Sequence, residues 1–341
     1  MIGNTTHRFN NTTMLSVSRV EAPNVVTSDE LDRRLGDIYE RVGLRAGLLE
    51  RLVGIRERRW WPDDVSFVEG AATAGAKAIS ESGVDPADIG LMVNTSIGRT
   101  HLEPATAVAV HDAIGLPPSC QNFDVTNACL GFVTGMEIAG AMIDAGMVDY
   151  ALVVNGEDSR AVQEATIRRL SGPEITAKDV MAEFAAFTLG SGAAAMVLGR
   201  ADRHPEGHRI VAAVSRAGTE HHDLCTGDNG VMTTDLKGLL DAGLQLSEDL
   251  WVEAADDFDW INGMDRYIIH QVSQVHTDAL SSRLGIDPER VPTTFPEFGN
   301  IGPVSVPFTL AAEVDTLSPG DRVMLMGIGS GLNACCLEIA W

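Results

Sequence analysis

Three residues of unlike chemistry stand at strand-to-loop junctions far apart in the chain: Cys129, His270 and Asn300. Cys129 lies in Phe123-Asp-Val-Thr-Asn-Ala-Cys129-Leu-Gly-Phe, where an apolar strand gives way to an apolar helix. A helix N-terminus stabilises an anion and lowers a thiol pKa, so the position suits a nucleophile. His270 ends the apolar run Tyr267-Ile-Ile-His270, and Asn300 lies in Pro296-Glu-Phe-Gly-Asn300-Ile-Gly-Pro-Val-Ser-Val-Pro307. Gly299 and Gly302 beside it permit close backbone approach. A thiol that takes an acyl group, with an imidazole and an amide that steady an oxyanion or enolate, makes a two-step acyl-transfer set. Taken singly, Cys129 and His270 have plainer readings: a small buried Cys used for packing, and a satisfied His at a strand end.

The elements that must position these groups read as an α/β layered fold. Ile89–Ser96, Tyr150–Glu157, Arg266–Ser273 and Arg322–Gly329 are short, apolar and β-branched, as buried strands are. Helices are expected at Asp29–Val42, Val65–Ser82, Ala105–Ile114, Leu130–Ala145 and His276–Leu284, with Pro86, Pro104, Pro117 and Pro288 marking ends.

An internal repeat organises them. Leu189–Leu198 reads LGSGAAAMVL and Ile328–Leu337 reads IGSGLNACCL, sharing Gly-Ser-Gly, an Ala and the closing Leu at a constant offset of 139, Gly190 to Gly329. The chain therefore divides into an N-terminal half, 1–200, holding Cys129, and a C-terminal half, 201–341, holding His270 and Asn300. The first half carries an insertion at about 158–187, charged and helical in pattern, expected to be a lid, a channel wall or a subunit contact. If the halves pack about a pseudo-twofold axis, Cys129 and Asn300 occupy corresponding loops and face each other, with His270 nearby.

Composition excludes several classes. The chain has 341 residues, 45% hydrophobic and 21% charged, which is ordinary globular usage. Lys and Arg number 25 against 48 Asp and Glu, a formal charge of −23, so a nucleic-acid partner is not expected. No apolar run reaches the roughly 18 residues of a membrane span, and the first residues show no secretory pattern. The five cysteines, Cys120, Cys129, Cys225, Cys335 and Cys336, are odd in number and irregularly spaced, so a reducing, cytoplasmic location is expected. His221, His222 and Cys225 form the one metal-like cluster, but no fourth ligand follows at standard spacing, and a surface or subunit-contact loop is the preferred reading.

The Cys129 loop, the His270 strand, the Gly299-Asn300 loop and the closing Gly329-Ser-Gly-Leu-Asn333 resemble the thiolase superfamily, in its ketoacyl synthase III-like branch. The resemblance covers essentially the whole chain. It implies a five-layered α-β-α-β-α thiolase fold of two similar halves related by pseudo-twofold symmetry, a homodimer, and Cys129 as acyl acceptor with His270 and Asn300 beside it. Priming ketoacyl synthases usually carry Gly-Asn-Thr-Ser-Ala at the Asn loop, where this chain has Gly299-Asn-Ile-Gly-Pro-Val-Ser305. That loop, with Asn94-Thr-Ser, Leu102-Glu103-Pro104-Ala-Thr106-Ala and Phe123–Phe132, is similar instead to OleA-type enzymes of olefin biosynthesis, which join two long-chain fatty acyl-CoAs head to head.

The resemblance assigns Glu103 a reason to exist. A synthase using a malonyl thioester forms its carbanion by losing carbon dioxide, whereas two plain acyl-CoAs require a base for an α-proton. In OleA-type enzymes the residue equivalent to Glu103 reaches into the partner subunit's site. Without the family, Glu103 reads as a helix-start carboxylate. The implied reaction is a non-decarboxylative Claisen condensation giving a β-ketoacyl-CoA and then a β-keto acid, with backbone N–H donors from Cys129 and the Gly329-Ser330-Gly331 turn. Coenzyme A enters as substrate, no cofactor or metal is expected, and downstream olefin-pathway enzymes are possible partners.

A polyanionic CoA needs a basic entrance on an acidic protein. Arg51, Arg56, Arg58 and Arg59, followed by Trp60 and Trp61, offer cations and stacking faces, or else form a solvated connection. Arg160, Arg168 and Arg169 are weaker candidates, and Ala185, Ala186 and Phe187 suit an alkyl channel or plain core. The rival functions are a synthase III condensing acyl-CoA with malonyl carrier protein, an acyl-CoA thioesterase, and a non-catalytic subunit of the same fold.

Overall fold

The computed structural model describes residues 5–228, 230–255 and 257–341. Ten strands form its central sheet: β1 (Thr5–Arg8), β2 (Thr12–Glu21), β3 (Ile89–Asn94), β4 (Gln121–Asp124), β5 (Tyr150–Glu157), β6 (Gly192–Arg200), β7 (His208–Ala217), β8 (Arg266–Ile269), β9 (Arg322–Gly329) and β10 (Asn333–Ala340). Their order is β8-β9-β10-β7-β2-β6-β5-β3-β4, with β1 added to β7. From β2 outward, two antiparallel pairings, β2 with β6 and β6 with β5, are followed by parallel pairings to β3 and β4. From β7 outward, β10 and β9 pair antiparallel and β8 parallel. The same four-strand path is thus run twice, with β4 added to the first run, and the two runs meet where Thr13 and Met14 pair with Arg209 and His208. This is the duplication expected from the repeat.

Six helices layer the sheet: α1 (Phe67–Ser82), α2 (Thr106–Ile114), α3 (Gly131–Asp144), α4 (Leu236–Ala255), α5 (Gln274–Leu284) and α6 (Ser305–Glu313). Ala71, Ala74 and Ala78 of α1 and Val110 of α2 pack on one face of the first run. Leu246 and Leu250 of α4 and Leu280 of α5 pack on the outer face of the second. Between the runs lie α3 and α6, whose Phe132, Val133, Met136, Val306 and Leu310 share one core with strands of both. The result is the α-β-α-β-α stack of the thiolase fold. Apolar burial of this kind contributes roughly 25 cal/mol per Å², so a helix buried against both runs is held more firmly than one at the rim.

Local chemistry sets the boundaries. Ser66 caps α1 in a reciprocal capping box with Glu69, starting the helix two residues later than the apolar pattern suggests. The Arg266–Ser273 strand is corrected to Arg266–Ile269, because Ser273 instead accepts the His276 N–H and begins α5 at Gln274. The Asp29–Val42 helix is broken into Ser28–Arg34 and Gly36–Val42.

The insertion forms helices Arg160–Leu170 and Ala177–Ala182 and a 3-10 turn at Phe184–Thr188. Leu170, Val180, Phe184 and Phe187 join Leu31, Leu35, Tyr39 and Leu49 in a satellite core. Ala185 and Ala186 are buried beside it.

The repeated glycines interlock the halves. A Cβ on Gly190 lands 1.8 Å from the Phe298 carbonyl oxygen, and one on Gly329 lands 2.5 Å from that of Asn127. Each half therefore presses its Gly-Ser-Gly entry against the other half's loop. Gly190→Ala must push backbone against backbone, and we expect a loss of about 3 kcal/mol or more. Denaturant melts would show it as a lower midpoint at unchanged slope; a midpoint within error of wild type overturns the interlock.

Candidate active site

Cys129 and Asn300 stand on matching elbows. Ala128, immediately before Cys129, has φ 45°, and Gly299, immediately before Asn300, has φ 69°. A left-handed Ala is uncommon, because its Cβ crowds the backbone. Beyond each elbow a helix begins two residues on: α3 at Gly131, and a 3-10 turn Gly302–Val304 that runs into α6. α3 packs against that turn and against α6, which brings the two elbows to one seam. His270 follows β8, and its N–H donates to Met326 of β9 at 2.7 Å, as Thr95 after β3 donates to Val154 of β5 at 2.9 Å.

The Asn300 amide is oriented by its loop. Its Oδ1 accepts the Gly302 N–H at 2.9 Å, so the other end of the amide, Nδ2, is a donor. Its backbone joins Thr188 and Gly190 through bonds of 2.8 and 2.9 Å. The turn Gly329–Gly331 packs on the Cys129 loop: Asn333 Nδ2 donates to Asn127 Oδ1 at 3.2 Å, and a Cβ on Gly329 would lie 3.3 Å from the Leu130 N. Ser330 lies in the same turn.

Burial decides the electrostatics. The thiol of Cys129, expected from its helix position to be acidic, is instead pushed up to about 12, chiefly by burial and further by Cys225 and Glu157. Desolvation of the thiolate outweighs the helix N-terminus. Burial pushes His270 down to about 3, assisted by His276. The resting pair is therefore a neutral thiol and a neutral imidazole. Alkylation of Cys129 by iodoacetamide is expected to rise about tenfold per pH unit from pH 7 to 10, where an ordinary thiol levels off above about 8.5. Mass spectrometry of the labelled peptide checks this, and a plateau near pH 8.5 overturns it.

Two neighbours escaped the sequence reading. Glu157, at the end of β5, accepts the Ile97 N–H at 2.7 Å, and its Cγ lies 3.8 Å from where a Cβ on Gly302 would sit. Burial pushes its carboxyl up to about 8 against the Ile97 and Gly98 N–H donors and Arg99. An acid closing a buried apolar strand was the available signal. Cys225, expected on a surface or subunit-contact loop, opens the short hairpin Cys225–Gly227 with Met232–Thr234, half-buried at Cys225 and exposed at Thr226 and Gly227, and it adds to the rise of the Cys129 thiol.

Glu103 is not in this chain's own site. It stands on an exposed finger, His101–Ala105, on which Leu102 is 99% exposed. The finger is anchored at both ends to the Cys129 side: Arg99 donates to Thr126 Oγ1 at 2.5 Å, and Asp124 accepts the N–H groups of Thr106 and Ala107 at 2.9 and 2.8 Å.

The expected CoA patch is corrected. Arg58 is fully buried, donating to Ser28 Oγ and the Phe187 carbonyl at 3.0 Å, and burial draws it down to about 10 against Asp32 and Glu57. Trp60 and Trp61 are buried, with their N–H groups on Gln163 Oε1 and the Glu157 carbonyl. Arg59 is paired with Glu57 and donates to the Glu297 carbonyl at 3.1 Å, bracing the Asn300 loop. On the strand Glu57–Trp60, Arg58 and Trp60 are buried on one face, and Arg59 between them is half-buried. Arg51 and Arg56 face solvent, Arg56 paired with Glu297 at 3.1 Å. Arg160 pairs with Asp63 and Arg169 with Glu183, and Arg168 is exposed.

Fold and site together define a thiolase-fold acyltransferase. Residues 123–218 match the family 3-Oxoacyl-[acyl-carrier-protein (ACP)] synthase III, and 261–341 match its C-terminal family. The acyl-CoA:acyl-CoA alkyltransferase of Xanthomonas campestris pv. campestris is 42% identical over 98% of this chain and 99% of that one. That of Shewanella oneidensis is 36% identical over 94% and 96%. The crystal structure of Xanthomonas campestris OleA with bound lauric acid and lauroyl-CoA superposes at TM-score 0.95, with 41% identity, covering 98% of this chain and 100% of that one. Other structures of that protein carry changes at a histidine, a glutamate and a cysteine. The chain belongs to the OleA family of acyl-CoA:acyl-CoA alkyltransferases, within the ketoacyl synthase III-like branch of the thiolase superfamily.

Proposed function

We propose that the protein condenses two long-chain fatty acyl-CoAs without decarboxylation, the first step of olefin formation. The Cys129 thiol attacks the first thioester, its proton departs with the leaving group as the CoA thiol, and the acyl group is carried on sulfur. The second acyl-CoA places its thioester oxygen against His270 Nε2–H and Asn300 Nδ2–H, and a base removes its α-proton. The enolate carbon then attacks the acyl-Cys129 carbonyl, releasing the thiolate and leaving a β-ketoacyl-CoA, which is hydrolysed to the β-keto acid. Backbone N–H groups of Cys129 and of the Gly329–Gly331 turn serve the first oxyanion. No group other than the substrates' coenzyme A is required by these steps.

The observation that carries this reading over a malonyl-dependent one is the carboxylate on the exposed finger. Glu103 precedes Cys129 by the same separation as the glutamate precedes the cysteine altered in the Xanthomonas OleA structures, and His270 follows within one residue of the matching separation. A finger with an exposed Leu102 beside that carboxylate fits insertion into a second copy of the chain, so a homodimer completes each site. Arg51 and Arg56 are the remaining candidates for the CoA entrance. No helix among the described residues is long and apolar enough to cross a membrane. A cytoplasmic location and later enzymes that take up the β-keto acid complete the proposal.

Incubation with one defined long-chain acyl-CoA, and no malonyl donor, tests the function. The expected product is the β-keto acid, or the ketone it yields on losing carbon dioxide. Free fatty acid alone makes the protein a thioesterase, and a requirement for malonyl carrier protein makes it a decarboxylating synthase.

A further inference from the structure

The reaction uses the face of His270 that meets substrate and leaves the opposite face unexplained. Among the described residues, Nδ1 of His270 and Nδ1 of His276 are both sealed from solvent without a hydrogen-bond partner. Both side chains line one cavity of about 20 Å³, walled also by Ser247, Met326, Gly327 and Cys336. Their backbones are held by separate partners, His270 N on the Met326 carbonyl and His276 N on Ser273 Oγ. A buried nitrogen without a partner bears its full desolvation cost. One water needs about 10–15 Å³ and two to four polar neighbours, and this cavity supplies both the room and the nitrogens.

Charge does not provide an alternative link. Burial pushes His270 down to about 3 and His276 down to about 4, so both rings are neutral at physiological pH. One water between two neutral imidazoles can donate to both nitrogens, accept from both or do one of each, and wherever it donates to His270 Nδ1 the His270 proton sits on Nε2.

We propose that the cavity holds one buried water bridging His276 Nδ1 and His270 Nδ1, and that His276 is thereby a positioning residue that keeps the His270 proton on Nε2. His276 Nδ1–H donates to the water oxygen, and the water donates an O–H to the lone pair on His270 Nδ1. That lone pair exists only in the tautomer protonated at Nε2. His270 then meets a thioester oxygen as a donor. The direction of the bridge and its catalytic consequence both rest on the donor role given to His270 above, whereas the presence of the water does not.

The test is nitrogen-15 NMR of His270, with condensation kinetics, in wild type, His276→Phe and His276→Asn. Phenylalanine keeps a planar ring without nitrogen, and asparagine returns a polar atom near the Nδ1 position. Wild type is expected to show the Nε2–H tautomer. His276→Phe should lose that single tautomer and about tenfold in condensation kcat, with KM and Cys129 acylation little changed. His276→Asn should restore the tautomer and bring kcat within about threefold of wild type. A wild-type Nδ1–H tautomer, or a His276→Phe enzyme with tautomer and kcat unchanged, overturns the proposal. So does a His276→Asn enzyme no better than the phenylalanine variant. If His276→Phe fails to fold, the His276→Asn tautomer decides alone. The expected tautomers with a product other than a condensed one would overturn the donor role of His270 and leave the water bridge standing.

Discussion

Glu103→Ala is expected to leave Cys129 fully able to accept an acyl group while lowering condensed product by about a thousandfold, within the range for loss of a general base. The separation follows from the geometry. Glu103 rises from a finger exposed on its own chain, so its removal disturbs neither the Ala128 elbow nor the buried surroundings of Cys129. Mass spectrometry of the acyl-enzyme and chromatography of the product read the two steps apart. If the base acts in trans, mixing equal amounts of Glu103→Ala and Cys129→Ala subunits under exchanging conditions makes about half the dimers hybrid, each with one whole site. About a quarter of wild-type activity should then return. No recovery from subunits shown to have exchanged places the base within one chain, and near-normal condensation by Glu103→Ala removes it from the mechanism.

Asn300→Asp should be nearly as damaging to the second step, with a loss of about a hundredfold or more. The replacement preserves shape and keeps an oxygen for the Gly302 N–H, so the loop has no reason to refold. What changes is the other end of the side chain, where a donor becomes a second carboxylate oxygen. An enolate oxygen forming there would meet negative charge instead of a hydrogen bond. Single-turnover condensation from pre-acylated enzyme isolates the effect. A rate within threefold of wild type would show that Asn300 does not touch the developing charge.

Much of this site could be read from the chain because its parts sit where the backbone changes state. Cys129, His270 and Asn300 each occupy a junction after an apolar strand or loop, and periodicity with glycine punctuation finds such junctions. The repeat was legible in Gly-Ser-Gly because both glycines face a carbonyl at a distance no side chain tolerates. The matching of Ala128 to Gly299 was hidden, since one elbow uses a residue that ordinarily avoids positive φ. The arginine patch failed for a different reason: sequence shows charge, but whether a guanidinium meets water depends on Ser28, Phe187 and Glu297, distant positions that fill its donors. In the sequence Glu157 is the end of a strand and His276 the start of a helix, and only packing shows that their polar atoms turn inward.

The middle helical layer has a consequence for how the molecule comes apart. Because α3 and α6 lend side chains to strands of both runs, the apolar surface that closes one repeat is the same surface that closes the other. Duplication here has produced two copies of a pattern but one cooperative unit. A chain divided near residue 200 would leave each fragment with a greasy face and no water-compatible substitute for its twin, so loss of either copy is loss of both.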